Sequence, residues 1–169
     1  MVSLMKVSTR TRYGIRAMLQ LALQYGQGPL SVREIAEQQG LPEKYLEQLV
    51  ASLKAGGLVR AVRGASGGYV LAQPPAELTL SDIFRVLEGS LAPVECVEEG
   101  EVCPQQAECA TRDVWLQLAE AWLEVLEHTT LEDLAENSRQ KGKARGKGKA
   151  RTRAACGSAQ SAQHLVRKV

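Results

Sequence analysis

Residues 31 to 71 constrain this chain most, because their local signals fit one order of elements: helix, turn, helix, hairpin. Ser31-Val32-Arg33-Glu34 is a capping box, in which hydroxyl and carboxylate satisfy each other's orphan backbone donors, so a helix starts there. Val32, Ile35 and Ala36 give it an apolar face, and Gly40 supplies the left-handed residue that ends it. Pro42 suits the first turn of a second helix, where its missing N–H costs nothing. That helix carries Leu46, Leu49, Val50 and Leu53 at i, i+3, i+4, i+7, a core-facing stripe. Lys44, Glu47 and Gln48 stay on the opposite face. Leu58–Val62 and Tyr69–Leu71 are β-prone runs around the Gly-rich loop Arg63-Gly64-Ala65-Ser66-Gly67-Gly68. A short helix able to enter a major groove, with a basic hairpin beside it, is a device for reading duplex DNA. A helical hairpin and β-hairpin used only for packing is the competing reading.

Charge favours the first. Residues 1 to 70 hold nine Lys+Arg against four acids, the footprint that phosphate binding needs. Residues 71 to 137 reverse the balance, with Arg85 and Arg112 against fifteen acids. Residues 138 to 169 carry ten Lys+Arg and no acid, so the net charge of +2 hides three zones. The last zone has no apolar periodicity and is expected to be a disordered basic tail, serving either as sequence-independent attraction to DNA or as a solubility tail.

The remaining elements read as helices. A first helix spans about Thr9 to Leu23, with Ile15, Met18, Leu19, Ala22 and Leu23 on one face and Arg10, Arg12 and Arg16 near its start. Thr79-Leu80-Ser81-Asp82 opens another that ends at Gly89, and Thr130-Leu131-Glu132-Asp133 caps a last short one. Residues 111 to 128 form the longest periodic stretch, with Trp115, Leu118, Ala119, Trp122, Val125 and Leu126 on one stripe. A small winged-helix core leaves this stripe little to cover, so it is read as a dimerisation helix, with intramolecular packing as the alternative. The fold class is therefore mostly α with a small β-wing. Its parts are a winged helix-turn-helix domain over 5–90, a Cys-rich loop over 91–110, a dimerisation helix and capping helix over 111–137, and the tail over 138–169.

Cys96, Cys103 and Cys109 stand within fourteen residues, with six and then five residues between them. Thiolates at such spacing on an irregular loop suit zinc, copper(I) or an iron-sulfur cluster, with free thiols or a redox disulfide as the competing reading. Cys156 lies in the tail and reads as a bystander. No stretch approaches the ~18 continuous apolar residues of a membrane span, and the first residues do not read as a signal peptide. A cytoplasmic protein without a membrane partner is expected. No nucleophile with an adjacent base and no phosphate loop is present, so an enzyme, even an iron-sulfur redox enzyme, ranks below a regulator.

Five segments together resemble the winged-helix regulators that include IscR, NsrR and CymR, the Rrf2 family. They are Arg12-Tyr13-Gly14, Tyr45-Leu46-Glu47-Gln48-Leu49, Arg63-Gly64 through Gly68-Tyr69, Val86-Leu87-Glu88-Gly89 and Thr130-Leu131-Glu132-Asp133-Leu134. The resemblance runs from about Met5 to Glu136. It implies a homodimeric transcriptional regulator on double-stranded DNA, with the helix at 42–53 in the major groove. Lys44, Glu47 and Gln48 then reach bases and Arg63 reaches the minor groove, so Arg12, Tyr45, Gly64 and Ser66 complete the expected DNA-contacting set. It further implies that Cys96, Cys103 and Cys109 are ligands of a 2Fe-2S cluster. IscR-like members place a histidine three residues after the last cysteine; here Arg112 stands there, and a guanidinium does not ligate iron. NsrR-like members use an acid in the first helix, where this chain has Arg12. Asp113, Glu108, Glu101, a partner-chain group or a small thiol remain for the fourth position. CymR-like members bind DNA without a cluster and respond to cysteine metabolism through a partner protein; residues 5 to 95 match them at least as well, though they do not share this Cys-rich loop.

Overall fold

The computed structural model describes residues 7–64, 66–98 and 108–151, without side chains for Glu95 and 144–151. The chain divides into two units, Met1–Ala135 and Glu136–Val169. The first begins with helix α1 (Thr9–Leu23), whose N-cap Ser8 accepts a hydrogen bond from the Thr11 N–H at 3.1 Å. Helix α2 (Val32–Gln39) starts on the capping box of Ser31 and Glu34 and ends at Gly40, with φ 61° and ψ 42°. The Ser31 backbone N–H and hydroxyl both donate to the Glu34 carboxylate, which lowers its pKa from the ordinary value. Helix α3 (Glu43–Ala55) takes Pro42 as its N-cap, so it starts one residue later than expected, and buries Leu46, Leu49, Val50 and Leu53.

The wing follows. Strands β1 (Val59–Val62) and β2 (Gly68–Leu71) pair antiparallel with Val59 opposite Leu71 and Val62 opposite Gly68. A bridge between Leu30 and Tyr69, with N···O distances of 3.0 and 2.7 Å, fixes this hairpin to the residues just before α2. Gly68 makes that approach possible, since a Cβ there would lie 2.4 Å from the Leu30 carbonyl oxygen. Gly68→Ala is therefore expected to destabilise the first unit by about 1–3 kcal/mol in urea unfolding, because backbone rather than a side chain must yield; an unchanged midpoint would show that the wing is not anchored there.

Helix α4 (Leu80–Glu88) begins on the capping box of Thr79 and Asp82 and buries Ile83, Phe84 and Leu87. Helix α5 (Ala110–His128) returns across it, with Trp122 edge-on to Phe84 at 5.6 Å. Leu80 N–H donates to the Thr129 carbonyl and Leu131 N–H to the Leu78 carbonyl, both at 2.9 Å, which brings Leu131 and Ala135 into the core. Helix α6 (Leu131–Arg151) starts there.

Two expectations change. On α1, Met18 and Ala22 are buried as expected, but Ala17 and Leu21 join them while Ile15, Leu19 and Leu23 stay half-buried. The face is turned because Gly14 lets α1 close on α4: a Cβ at Gly14 would lie 2.2 Å from Leu87 Cδ1. The last helix is long rather than short. Ordered structure was expected to stop at 137, yet α6 continues to Arg151. A helix already nucleated at Thr130 and Asp133 extends at low cost through Ala, Lys, Arg and Gln, which outweigh the glycines at 142, 146 and 148. Residues 152–169, Cys156 among them, lie outside the described residues.

Candidate nucleic-acid interface and cysteine loop

The core stripe of α3 turns Lys44, Glu47 and Gln48 to solvent together. Tyr45 differs from them: it is half-buried, its ring edge-on to Tyr13 at 6.0 Å and 80°, so it also joins α3 to α1. At the wing, Arg63, Gly64 and Ser66 are exposed, while Ala65 lies outside the described residues.

The three arginines of α1 separate by role. Arg16 donates to the Gln39 side chain at 3.1 Å and to its backbone carbonyl, and lies over the Tyr13 ring at 5.8 Å, so it ties α1 to the end of α2. Arg12 is exposed and donates to Thr9 of its own helix at 3.0 Å. Arg10, which the sequence reading did not select, donates to Ser52 Oγ of α3 at 3.1 Å. With Tyr45, Gln48, Leu49 and Ser52 it lines a cavity of about 270 Å³ beside α3.

Cys96 sits half-buried in a single 3-10 turn, Glu95–Val97, and Cys109 is the N-cap of α5. Arg112 Nε donates to the Cys96 carbonyl at 3.4 Å, so the two ends of the loop meet at the first turn of α5. Cys109 Sγ lies 3.2 Å from Thr111 Oγ1; that contact and the Arg112 N–H hold the thiol below its ordinary pKa. Cys103 and Glu101 lie outside the described residues. Glu108 and Asp113 are exposed, and His128 Nδ1 lies 2.9 Å from the Glu124 carbonyl of its own helix. Among the described residues no group of three His, Cys, Asp or Glu could hold a metal ion. Two thiols are of the type that ligates iron, but Arg112, at the position of the expected histidine, has no lone pair to offer, so the described residues do not make up a complete ligand set.

The stripe of α5 stays largely uncovered within one chain. Only Leu126 is buried, Trp115, Leu118, Ala119 and Trp122 are half-buried, and Val114 and Val125 are 59% and 60% exposed. Among the described residues no helix is long and apolar enough to cross a membrane.

Helices α1 to α3, the anchored wing and the polar face of α3 define a winged helix-turn-helix protein of the DNA-binding regulator class. The chain belongs to the Rrf2 family, described as iron-dependent transcriptional regulators, which it matches over residues 7–137. It is 49% identical over 131 residues to the HTH-type transcriptional regulator CymR of Bacillus subtilis, covering 78% of this chain and 90% of that protein. To the regulator IscR of Pectobacterium carotovorum it is 33% identical over 133 residues, covering 79% and 80%. Among solved structures, that of the B. subtilis global cysteine regulator CymR matches with a TM-score of 0.69 and 48% identity, over 79% of this chain and 98% of that one. IscR of T. potens matches with a TM-score of 0.66 and 41% identity, over 79% and 88%.

Proposed function

We propose that this chain is a homodimeric cytoplasmic repressor that reads a partly palindromic duplex with α3 and the wing and senses iron-sulfur or redox status through Cys96, Cys103 and Cys109. The convergence of Cys96 and Cys109 on the first turn of α5 carries the sensing half of this reading. The three thiolates would hold a 2Fe-2S cluster, which when bound supplies a redox-responsive charge at that corner. The uncovered stripe of α5, with Val114 and Val125 outermost, is the surface for the second copy. A two-fold axis through it would present two α3 helices to half-sites one or more helical turns apart.

Each exposed group on the reading face has a chemical partner. Gln48 suits adenine N6 and N7, Glu47 accepts from cytosine N4, and Lys44 donates to guanine O6 or N7. Arg63 suits a narrow minor groove, where the negative potential is strongest. Gln48→Ala is expected to cost about 1–3 kcal/mol on the preferred duplex and little on random DNA. Equal losses on both would remove Gln48 from base reading.

Arg112 and the likeness to CymR support a second reading, in which a cluster-free regulator of cysteine or sulfur metabolism acts through thiols, zinc or a partner protein. Anaerobic purification separates the two. Iron and inorganic sulfide in equal amounts support the cluster; zinc, or no metal after reconstitution, supports the cluster-free regulator.

A further inference from the structure

We propose that Arg10 and Ser52 form a binding site for a DNA backbone phosphate that fixes how α3 sits in the groove; this rests on the DNA-reading function above. The Ser52 hydroxyl donates to the Gln48 carbonyl at 3.2 Å and accepts from Arg10 Nη2 at 3.1 Å. Its oxygen thereby holds the guanidinium against the last turns of the reading helix. A guanidinium has five N–H donors, and among the described residues Ser52 takes the only hydrogen bond found for Arg10. No salt bridge occupies it among those residues either. Arg10 lines the cavity of about 270 Å³ together with Tyr45, Gln48, Leu49 and Ser52, room enough for a tetrahedral anion beside the guanidinium. Arg12 and Arg16 do not compete for this place, being held by Thr9 and Gln39.

The position points to backbone rather than base. Arg10 projects from α1, and it meets α3 at Ser52, two turns beyond Lys44 and one beyond Gln48, away from the N-terminal end that reads base edges. Phosphate contacts of this kind set register without carrying sequence information. The base of Arg10 is also fixed. Ser8 and Thr11, which flank it in the first turn of α1, both donate to Glu88 Oε1 at the end of α4, and Thr11 is fully buried. Partial burial pushes the Glu88 carboxyl up, but the Ser8 and Thr11 hydrogen bonds and the charge of Arg10 outweigh this and leave it below the ordinary value.

The test uses the full chain, with one duplex selected by the wild-type protein from a random pool and one scrambled duplex of equal length. Affinities are titrated between 50 and 200 mM salt. Arg10→Ala is expected to weaken both duplexes by the same factor, roughly tenfold, and to reduce the salt slope by about 1. Arg10→Lys should keep the slope while losing part of the affinity, which also guards against misfolding, and Ser52→Ala should give a smaller, equally unselective loss. Unchanged binding by Arg10→Ala, or a loss confined to the selected duplex, would overturn the phosphate site while leaving the DNA-reading function in place. Wild-type protein that selects and binds no duplex would instead overturn that function, and this site with it.

Discussion

Deleting residues 138–169 is expected to flatten the salt dependence of DNA binding more than any single substitution. The segment holds ten Lys+Arg and no acid, whereas the first 70 residues have nine Lys+Arg diluted by four acids. Each phosphate neutralised contributes about −0.9 to the slope of log K against log salt. Six tail contacts would therefore remove a slope of about 5, which corresponds to roughly 10³-fold in affinity between 50 and 200 mM salt. The fold should survive the deletion. Leu131 and Ala135, the residues of α6 that enter the core, are 0% and 2% exposed and precede the cut. Selectivity between a preferred and a scrambled duplex should also persist, because Lys44, Glu47 and Gln48 remain. An unchanged slope would show that the tail does not touch DNA and would return it to the role of a solubility segment. Unfolding of the truncated chain would show instead that α6 beyond 137 supports the body.

Charge marks a basic segment from 138 onward; the length of α6, which runs across that boundary to Arg151, was not legible. The sequence signals that held are those closed by local chemistry. Ser31 with Glu34 and Thr79 with Asp82 form reciprocal bonds three residues apart, so a reader of the chain sees both ends of each contact. The α3 stripe held because Glu47 and Gln48 separate Leu46 from Leu49-Val50 and Ser52 precedes Leu53, so the large apolar residues share one face. On α1 they are not separated: residues 17 to 19 and 21 to 23 are apolar almost without interruption, and periodicity selects no single face. Contact with α4 through Gly14 and Leu87 decided it. The same contact explains why Arg10 was overlooked. Arg10 and Arg12 differ by about 200° around the helix, so only knowledge of the buried face tells which one meets α3. The cysteine loop falls between these cases. Its residue types announced soft-ligand chemistry, but only the fold brings Cys96 to the first turn of α5.

Replacing Cys96, Cys103 or Cys109 singly by Ala is expected to abolish bound iron and sulfide, whereas Cys156→Ala should leave both unchanged. The asymmetry follows from position. Cys96 and Cys109 are fixed where a 3-10 turn meets a helix start, and Cys103 is tied to both by six and five residues of chain. Cys156 lies beyond the residues that match the family. Arg112 sharpens the experiment, because its guanidinium holds the Cys96 carbonyl from the site expected of a histidine ligand. Arg112→His should replace a guanidinium, which has no lone pair for iron, by an imidazole that can ligate it, and so slow the loss of visible absorption in air. If one of the two exposed acids supplies the fourth ligand in the unmodified chain, Asp113→Ala or Glu108→Ala should shift the spectrum. A spectrum indifferent to both would leave a partner-chain group or a small thiol. If iron stays bound after any of the three cysteines is removed, the site is not the one proposed. If no variant and no unmodified protein carries iron or sulfide after anaerobic reconstitution, the cluster fails and the cluster-free regulator, acting through thiols, zinc or a partner protein, takes its place.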